Sequence, residues 1–520
     1  MNHNIYLINL GLWKGILKDD FDLSSINFEN ALSKANPLQV MLMGSAVALT
    51  GPKTKTVFIE DLPEEEVAKV AADPSGLVNL GNTCYLNAVT QCLRKIPYIR
   101  NALNSFQPIS SQGLQRSNPN NIMLMQSLRD LYFNLDNSTK AIPPANLVMA
   151  TKLAFPQFAQ TNAQGQPMQQ DAEEFYSGIL AIIASEIPKK ESIRHGFANH
   201  NVTDEDLNGA KNIVDAVFGL KMEETLTCDE FMDTSDSNAM EVDELAEPAV
   251  TTFDLHRKLV CNIQGGSDGN SNVNINHIQE GIALSLSGKI EKHSEILGRN
   301  AIWTRKQTIA RLPPILVVQF GRFYWKATPN SQDHAGVKCK VMKPVTFNEE
   351  LDVYEFCSEK VKSILKIYRV EALKEEEDQL AKKLKIDIAK TNNTPDVDES
   401  NKKEDDEEND EEAELQAALK MSMETTENRK TVGPGLPDKF QGHYELFGVV
   451  THKGRNADGG HYMGWVKADN TDNSAQSEEF DDWYVFDDDE VSPCKTEDVL
   501  KLKGGGDWHM SYLNFYRAKK

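Results

Sequence analysis

Two kinds of hydrophobic pattern occupy opposite ends of the folded part of this chain, and their order constrains the fold more than any other feature. Early on, Leu86, Val89 and Leu93 recur at helical spacing, directly after Asn82 and Thr83, residue types that cap helices. Much later, Ile315, Leu316, Val317, Val318, Gln319 and Phe320 form a short apolar run with β-branched residues, expected as a buried strand. The C-terminal part then alternates repeatedly. Helices first and strands last imply an α+β chain rather than a doubly wound sheet, where the two would interleave.

With 520 residues and 40% hydrophobic content, the chain has material for more than one unit and for a large core. Residues 1–50 read as a short, partly apolar module and residues 51–75 as a linker with an acidic stretch. Folded composition runs from Gly76 to about Tyr368 and resumes from Phe440 to Tyr516. Residues 229–250 are acidic and polar and are expected to form an exposed loop. Residues 372–436 are rich in Glu, Lys, Asp and Asn with few aromatics, the signature of disorder or an isolated helix. There is no internal repeat.

The formal net charge of −23 argues against a nucleic-acid partner, which needs a positive surface. No apolar run reaches the length of a membrane span, and the start carries no basic segment of a secretory signal. The 7 cysteines are Cys84, Cys92, Cys228, Cys261, Cys339, Cys357 and Cys494. They are odd in number, widely spaced and never paired as C-x-x-C. A disulfide framework and a structural zinc site are therefore not expected, and all but Cys84 read as ordinary thiols.

Cys84 falls in the first turn of the helix that starts near Asn82 or Thr83. Free backbone N–H groups and the helix dipole favour an anion there, and thiolate is the attacking form of cysteine. Gly81 lets the backbone approach closely. A thiol nucleophile also needs a base and a group that orients the base. Residues 460–466 read as one strand, residues 482–488 as another, and the polar segment 469–479 lies between them. The simplest connection is an antiparallel hairpin. In it the start of the first strand faces the end of the second, so His461 meets Asp487. Side chains alternate, so His461, Met463 and Trp465 share a face, as do Trp483, Val485 and Asp487. Asp487 can then hold one imidazole nitrogen while the other faces the thiol.

Residues 76–91, 169–175 and 318–323 and the boxes around His461 and Asp487 resemble, in order, the ubiquitin-specific proteases. The resemblance covers about Gly76 to Arg517 and implies a catalytic domain over residues 76–519, with the acidic segment 372–436 as an insertion. It implies a papain-like architecture of palm, thumb and fingers and hydrolysis of the isopeptide bond after the C-terminal glycine of ubiquitin. By position it implies Cys84 as nucleophile, His461 as general base and Asp487 as orienting acid. Asn79 matches the oxyanion-stabilising residue and Asp488 the assisting acidic neighbour. Gln170, Asp171, Phe323 and Tyr462 fall where members contact ubiquitin. No cofactor is implied. Many members carry two C-x-x-C pairs in the fingers, whereas Cys228 stands alone, so loss of zinc is expected.

Within the family, residues 42–46, 55–61, 155–158, 165–170, 451–454 and 504–509 resemble the proteasome-associated members that carry an N-terminal ubiquitin-like domain. Residues 11–46 match only the second half of such a domain, so a partial module with weakened docking to the proteasome regulatory particle is expected. Members of this type carry loops over the cleft, matched by residues 454–460 and 327–337. The expected partners are ubiquitin and polyubiquitinated proteins, in cytoplasm and nucleus. Inside the insertion, residues 411–424 place Leu415, Ala418, Leu419 and Ser422 on one narrow helical stripe after an acidic lead. That pattern resembles a ubiquitin-interacting motif, with Leu415, Ala418 and Ser422 as its contacts. Two rival readings are a catalytically silent ubiquitin-binding scaffold and a protease for another ubiquitin-like modifier.

Overall fold

The computed structural model describes residues 74–106, 118–187, 191–197, 202, 210–230, 247–264, 274–327, 336–391, 432–456, 459–468, 483–506 and 508–519. The expected ubiquitin-like module, the linker up to residue 73 and the stripe of Leu415, Ala418 and Ser422 lie outside the described residues. All of the described structure belongs to one compact unit, Asp73–Lys520.

Its first part is helical: α1 (Cys84–Arg94), α2 (Pro97–Ser105), α3 (Pro119–Asp136), α4 (Ala145–Ala154), α5 (Ala172–Glu186), α6 (Glu191–Gly196) and α7 (Ile213–Phe218). Strands follow. β1 (Leu220–Cys228), β2 (Val250–His256), β4 (Ser287–Ser294) and β5 (Arg299–Arg311) make an antiparallel sheet in the order β2-β1-β5-β4. β3 (Leu259–Cys261) and α8 (Ile278–Leu286) interrupt the series.

A larger sheet runs β13-β12-β11-β10-β14-β6-β3. It uses β6 (Ile315–Phe320), β10 (His443–Lys453), β11 (His461–Lys467), β12 (Trp483–Asp487), β13 (Glu490–Cys494) and β14 (Met510–Ala518), with β9 (Glu350–Asp352) paired to β10. β7 (Phe323–Ala327) and β8 (Gly336–Lys340) form a hairpin, and α9 (Glu359–Thr391) and α10 (Thr496–Leu500) complete the order. Helices do precede strands, and the run at 315–320 is the buried strand β6 between β14 and β3.

One core lies between the early helices and the large sheet. There Leu86, Val89 and Leu93 of α1, Phe175 and Ile179 of α5 and Val450, Leu513 and Phe515 of the sheet are all at most 1% exposed. Helix α1 is enclosed all round, and Asn87, Thr90 and Gln91 are buried with its apolar residues. Each fully buried aliphatic side chain contributes about 1.5–3 kcal/mol.

The segment 372–436, read from composition as disorder or an isolated helix, begins as a helix, but not an isolated one. Helix α9 is anchored in the core by Val361 and Leu365 and continues without a break to Thr391, and buried packing resumes at Val432. Composition cannot register that a charged helix is nucleated by a buried first turn. Among the described residues no helix is long and apolar enough to cross a membrane.

Candidate active site

Helix α1 rests directly on β11, and Gly464 permits it. A Cβ at Gly464 would stand 3.2 Å from the Ala88 carbonyl oxygen. This contact brings Cys84, the first residue of α1, beside the strand that begins at His461. Cys84 is 2% exposed, and its Sγ accepts from Tyr462 N at 3.5 Å and from Gln169 Nε2 at 3.3 Å.

Thr83 holds the N-cap position, but its hydroxyl does not cap the helix. It accepts from Leu80 N at 2.9 Å and donates to Asn79 Oδ1 at 3.3 Å. The helix N-terminus beside the thiol therefore lacks a side-chain acceptor, which favours an anion there.

His461 Nε2 lies 2.5 Å from Asp487 Oδ1, which leaves Nδ1 for the thiol. The hairpin is antiparallel as expected, but its register differs by two residues from the expected pairing. Trp465 faces Val485 and Gly464 faces Phe486, so the ladder continued by one step sets Asp487 against Met463. His461 and Asp487 share a face and meet diagonally, a reach that long side chains span. A hydrogen bond to Cys84 raises the His461 pKa to about 9, helped by Asp487 and opposed by burial. Two other imidazoles lie close by. Burial pushes His452 down to about 3 and His509 down to about 4. Of the three, His461 alone is shifted towards the charged imidazolium.

Asp488 sits at the β12–β13 turn with φ 54°, the left-handed region, and is 9% exposed. Its carboxylate accepts from Asn79 Nδ2 at 2.7 Å and from Asn87 Nδ2 at 2.8 Å, and its carbonyl accepts from Leu77 N at 2.8 Å. It thus ties the hairpin that carries Asp487 to the helix that carries Cys84. Asn79, expected at the oxyanion, spends one amide hydrogen on Asp488. Its Oδ1 accepts from Gly81 N at 2.9 Å and Thr83 N at 3.3 Å.

The residues expected to touch ubiquitin fall into different places. Asp171 caps α5 by accepting from Glu173 N at 2.9 Å, accepts from Tyr512 OH at 2.8 Å and pairs with Lys338 at 3.6 Å. Phe323 packs edge-on against Tyr512 and His452 at 5.0 and 5.3 Å, with the Lys338 ammonium 5.2 Å above it. The Tyr462 ring is buried against His452, and it is the Tyr462 backbone that meets the thiol. Gln170 turns to Met168 O at 3.4 Å, away from Cys84. Its neighbour Gln169, which the sequence reading did not single out, touches the sulfur. Both glutamines sit in one motif, and nothing in the sequence tells which of two adjacent side chains faces the cleft.

Lys340 at the end of β8 is bound to the end of β10, where one of the loops expected over the cleft begins. Its ammonium donates to Gly454 O at 2.8 Å and His452 O at 3.1 Å, and burial lowers its pKa to about 7. Arg322, fully buried, donates to the carbonyls of Ser511, Lys343, Lys503 and Val341 at 2.6 to 3.3 Å and locks the β7–β8 hairpin to β14.

His461, Asp487 and Asp488 offer ligand atoms within 4.8 Å of one another, the one such group among the described residues. Each already has a protein partner: Cys84 for His461, His461 for Asp487, two amides for Asp488. Cys228 packs with Leu226, Ala301 and Trp303 in a small apolar cluster of the four-stranded sheet. Burial pushes the Cys261 and Cys357 thiols up to about 12 and Cys92 further, so these thiols stay protonated and inert.

Residues 75–516 match the family described as ubiquitin carboxyl-terminal hydrolase. The chain belongs to this family. It is a cysteine-type deubiquitinating hydrolase with the papain-like fold expected from its motifs. It is 32% identical over 507 residues to ubiquitin carboxyl-terminal hydrolase 6 of Arabidopsis thaliana, covering 97% of this chain and 89% of that protein. It is 30% identical to ubiquitin carboxyl-terminal hydrolase 6 of Schizosaccharomyces pombe, with 97% and 89% covered. Ubiquitin carboxyl-terminal hydrolase 14 of Caenorhabditis elegans is 28% identical, with 96% and 84% covered.

Proposed function

We propose that Cys84 is the nucleophile, His461 the acid–base and Asp487 the orienting carboxylate of this deubiquitinase, and that it trims ubiquitin from substrates at the proteasome. The observation that carries the assignment of roles is the chain from Cys84 through His461 to Asp487, with an imidazole whose pKa rises to about 9 against the thiol. An imidazolium beside sulfur holds the thiolate ready and stores the proton that the leaving amine needs.

In this mechanism the thiolate pair attacks the carbonyl carbon of ubiquitin's last glycine. A C–S bond forms and the carbonyl pair moves to oxygen. As the adduct collapses the C–N bond breaks, and the His461 proton passes to the lysine amine. His461 then takes a proton from water, whose oxygen attacks the thioester and releases the thiolate. No step needs a cofactor.

The proteasomal setting rests on the resemblance of residues 42–46 and 504–509 to proteasome-associated members, and implies work in cytoplasm and nucleus. The stripe at Leu415, Ala418 and Ser422 adds a second ubiquitin contact, which would raise affinity for polyubiquitin through effective concentration. The test is hydrolysis of a ubiquitin–fluorophore conjugate with and without proteasomes. Stimulation by proteasomes is expected. Equal rates, with no co-sedimentation, would remove the proteasome from the account and leave the hydrolase intact.

A further inference from the structure

The side chain expected to serve the oxyanion, Asn79, is built into the scaffold. Its Nδ2 donates to Asp488 at 2.7 Å and its Oδ1 accepts from Gly81 N, Thr83 N and Thr83 Oγ1. Gln169 is differently placed. Its Nε2 lies 3.3 Å from Cys84 Sγ, on the reacting atom itself.

The chain on both sides of Gln169 is fixed. Before it, a turn closes through Asn162 N to Gln166 O at 2.8 Å and Met168 N to Gln160 O at 3.0 Å. Asn82 Nδ2 donates to Pro167 O at 2.7 Å and so moors that turn to the nucleophile loop. Asn82 itself holds φ 52°, the left-handed region, to make this contact. After Gln169, Asp171 caps α5 and is held by the Tyr512 hydroxyl at 2.8 Å. The backbone that carries the amide is therefore held in place before substrate arrives, so only the side chain has to adjust, which keeps the reorganisation cost of electrostatic stabilisation low.

We propose that Gln169 is a catalytic residue that donates to the oxyanion. The inference rests on Cys84 being the nucleophile. In the free enzyme the Nε2–H rests on the Cys84 sulfur. When sulfur attacks, the C–S bond forms, the sulfur loses its charge and the carbonyl pair becomes the oxyanion. Sulfur and oxygen are then bonded to the same carbon, so a small side-chain rotation carries the donor from one to the other. The amide proton stays on nitrogen throughout. On collapse the C–N bond breaks, the leaving amine takes the His461 proton and the amide returns to sulfur. Gln169 would act together with the Cys84 backbone amide and with the second hydrogen of the Asn79 amide.

The test compares Gln169→Ala and Gln169→Glu with the parent in the full chain. Gln169→Glu keeps the shape, removes the donor and turns a carboxylate towards the charge, and it carries the test if the alanine variant does not fold. Expected is a loss in kcat on ubiquitin–fluorophore of about 10²–10³-fold, the effect of removing one oxyanion donor. Affinity for free ubiquitin should stay unchanged. Affinity for ubiquitin aldehyde should fall, because its adduct with Cys84 places an oxygen at the same point. Alkylation of Cys84 by iodoacetamide needs the thiolate but no oxyanion, and its rate should fall far less than kcat. A kcat close to that of the parent would overturn the proposal. So would a kcat loss matched by an equal loss in alkylation rate, which would leave Gln169 as a partner of the thiolate only. Hydrolysis by a Cys84→Ala variant would instead overturn the assignment of the nucleophile, a separate result.

Discussion

His461 and Asp487 meet across a hairpin diagonally, Nε2 to Oδ1 at 2.5 Å, although the register sets Asp487 against Met463, two residues from His461. The carboxylate both orients the ring and helps to hold its proton. The His461 pKa of about 9 lies above the ordinary 6.5, so the imidazolium persists through neutral pH and is lost as pH rises through about 9. Activity should therefore show an alkaline limb near that value. Asp487→Asn should lower kcat by about 10²–10⁴-fold, the usual worth of general acid–base catalysis. It should also move the alkaline limb to lower pH. A pH profile of the variant with its limb unmoved would separate Asp487 from the His461 proton.

Asp488 is buried with two amide donors and no cation, and it buckles the hairpin to α1. Asp488→Ala leaves the Asn87 and Asn79 amides without their acceptor. Asn87 is buried and keeps only Leu77 O at 3.2 Å, whereas Asn79 is exposed and can turn to water; urea unfolding should report a loss of about 1 kcal/mol, the worth of one hydrogen bond. Turnover should fall as well, because Asn79 shapes the loop before Cys84. A variant with parental stability and parental turnover would show that Asp488 is incidental.

Gly464 sets the approach of Cys84 and His461. Gly464→Ala places a methyl 3.2 Å from the Ala88 carbonyl oxygen and pushes α1 off β11. The expected stability loss is about 1–3 kcal/mol. A shift of a few tenths of an ångström between Cys84 and His461 should lower kcat as well, by less than the roughly 10²-fold that a full ångström of misplacement costs. Thermal melting and steady-state kinetics on the same preparation check both.

The four-stranded sheet is held by Leu226, Cys228, Ala301 and Trp303 rather than by paired cysteines. Chelators should leave melting temperature and hydrolysis unchanged, and elemental analysis should find no stoichiometric zinc. Trp303, fully buried, should cost about 3–5 kcal/mol on replacement by alanine. Activity lost to a chelator and restored by zinc would contradict this.

Much of the site was legible because its parts are local. The helix start at Cys84 and the strands of His461 and Asp487 follow from spacing, and the alternation correctly put His461 and Asp487 on one face. What the sequence left open was non-local. Register in a hairpin with a long polar loop is set by packing against α1, so Asp487 was off by two residues in the expected pairing. The choice of Gln169 over Gln170 depends on the turn anchored by Asn82, more than eighty residues earlier. The continuation of α9 into the acidic segment depends on where Val361 and Leu365 are buried.

Ubiquitin carrying a C-terminal electrophile tests the central claim most directly. The account predicts a single adduct, mapped by mass spectrometry to Cys84, formed at a rate that falls above about pH 9 and abolished by Cys84→Ala, which should still bind ubiquitin. An adduct on Cys339 or Cys494, no adduct at all, or ubiquitin hydrolysis by purified Cys84→Ala protein would contradict it.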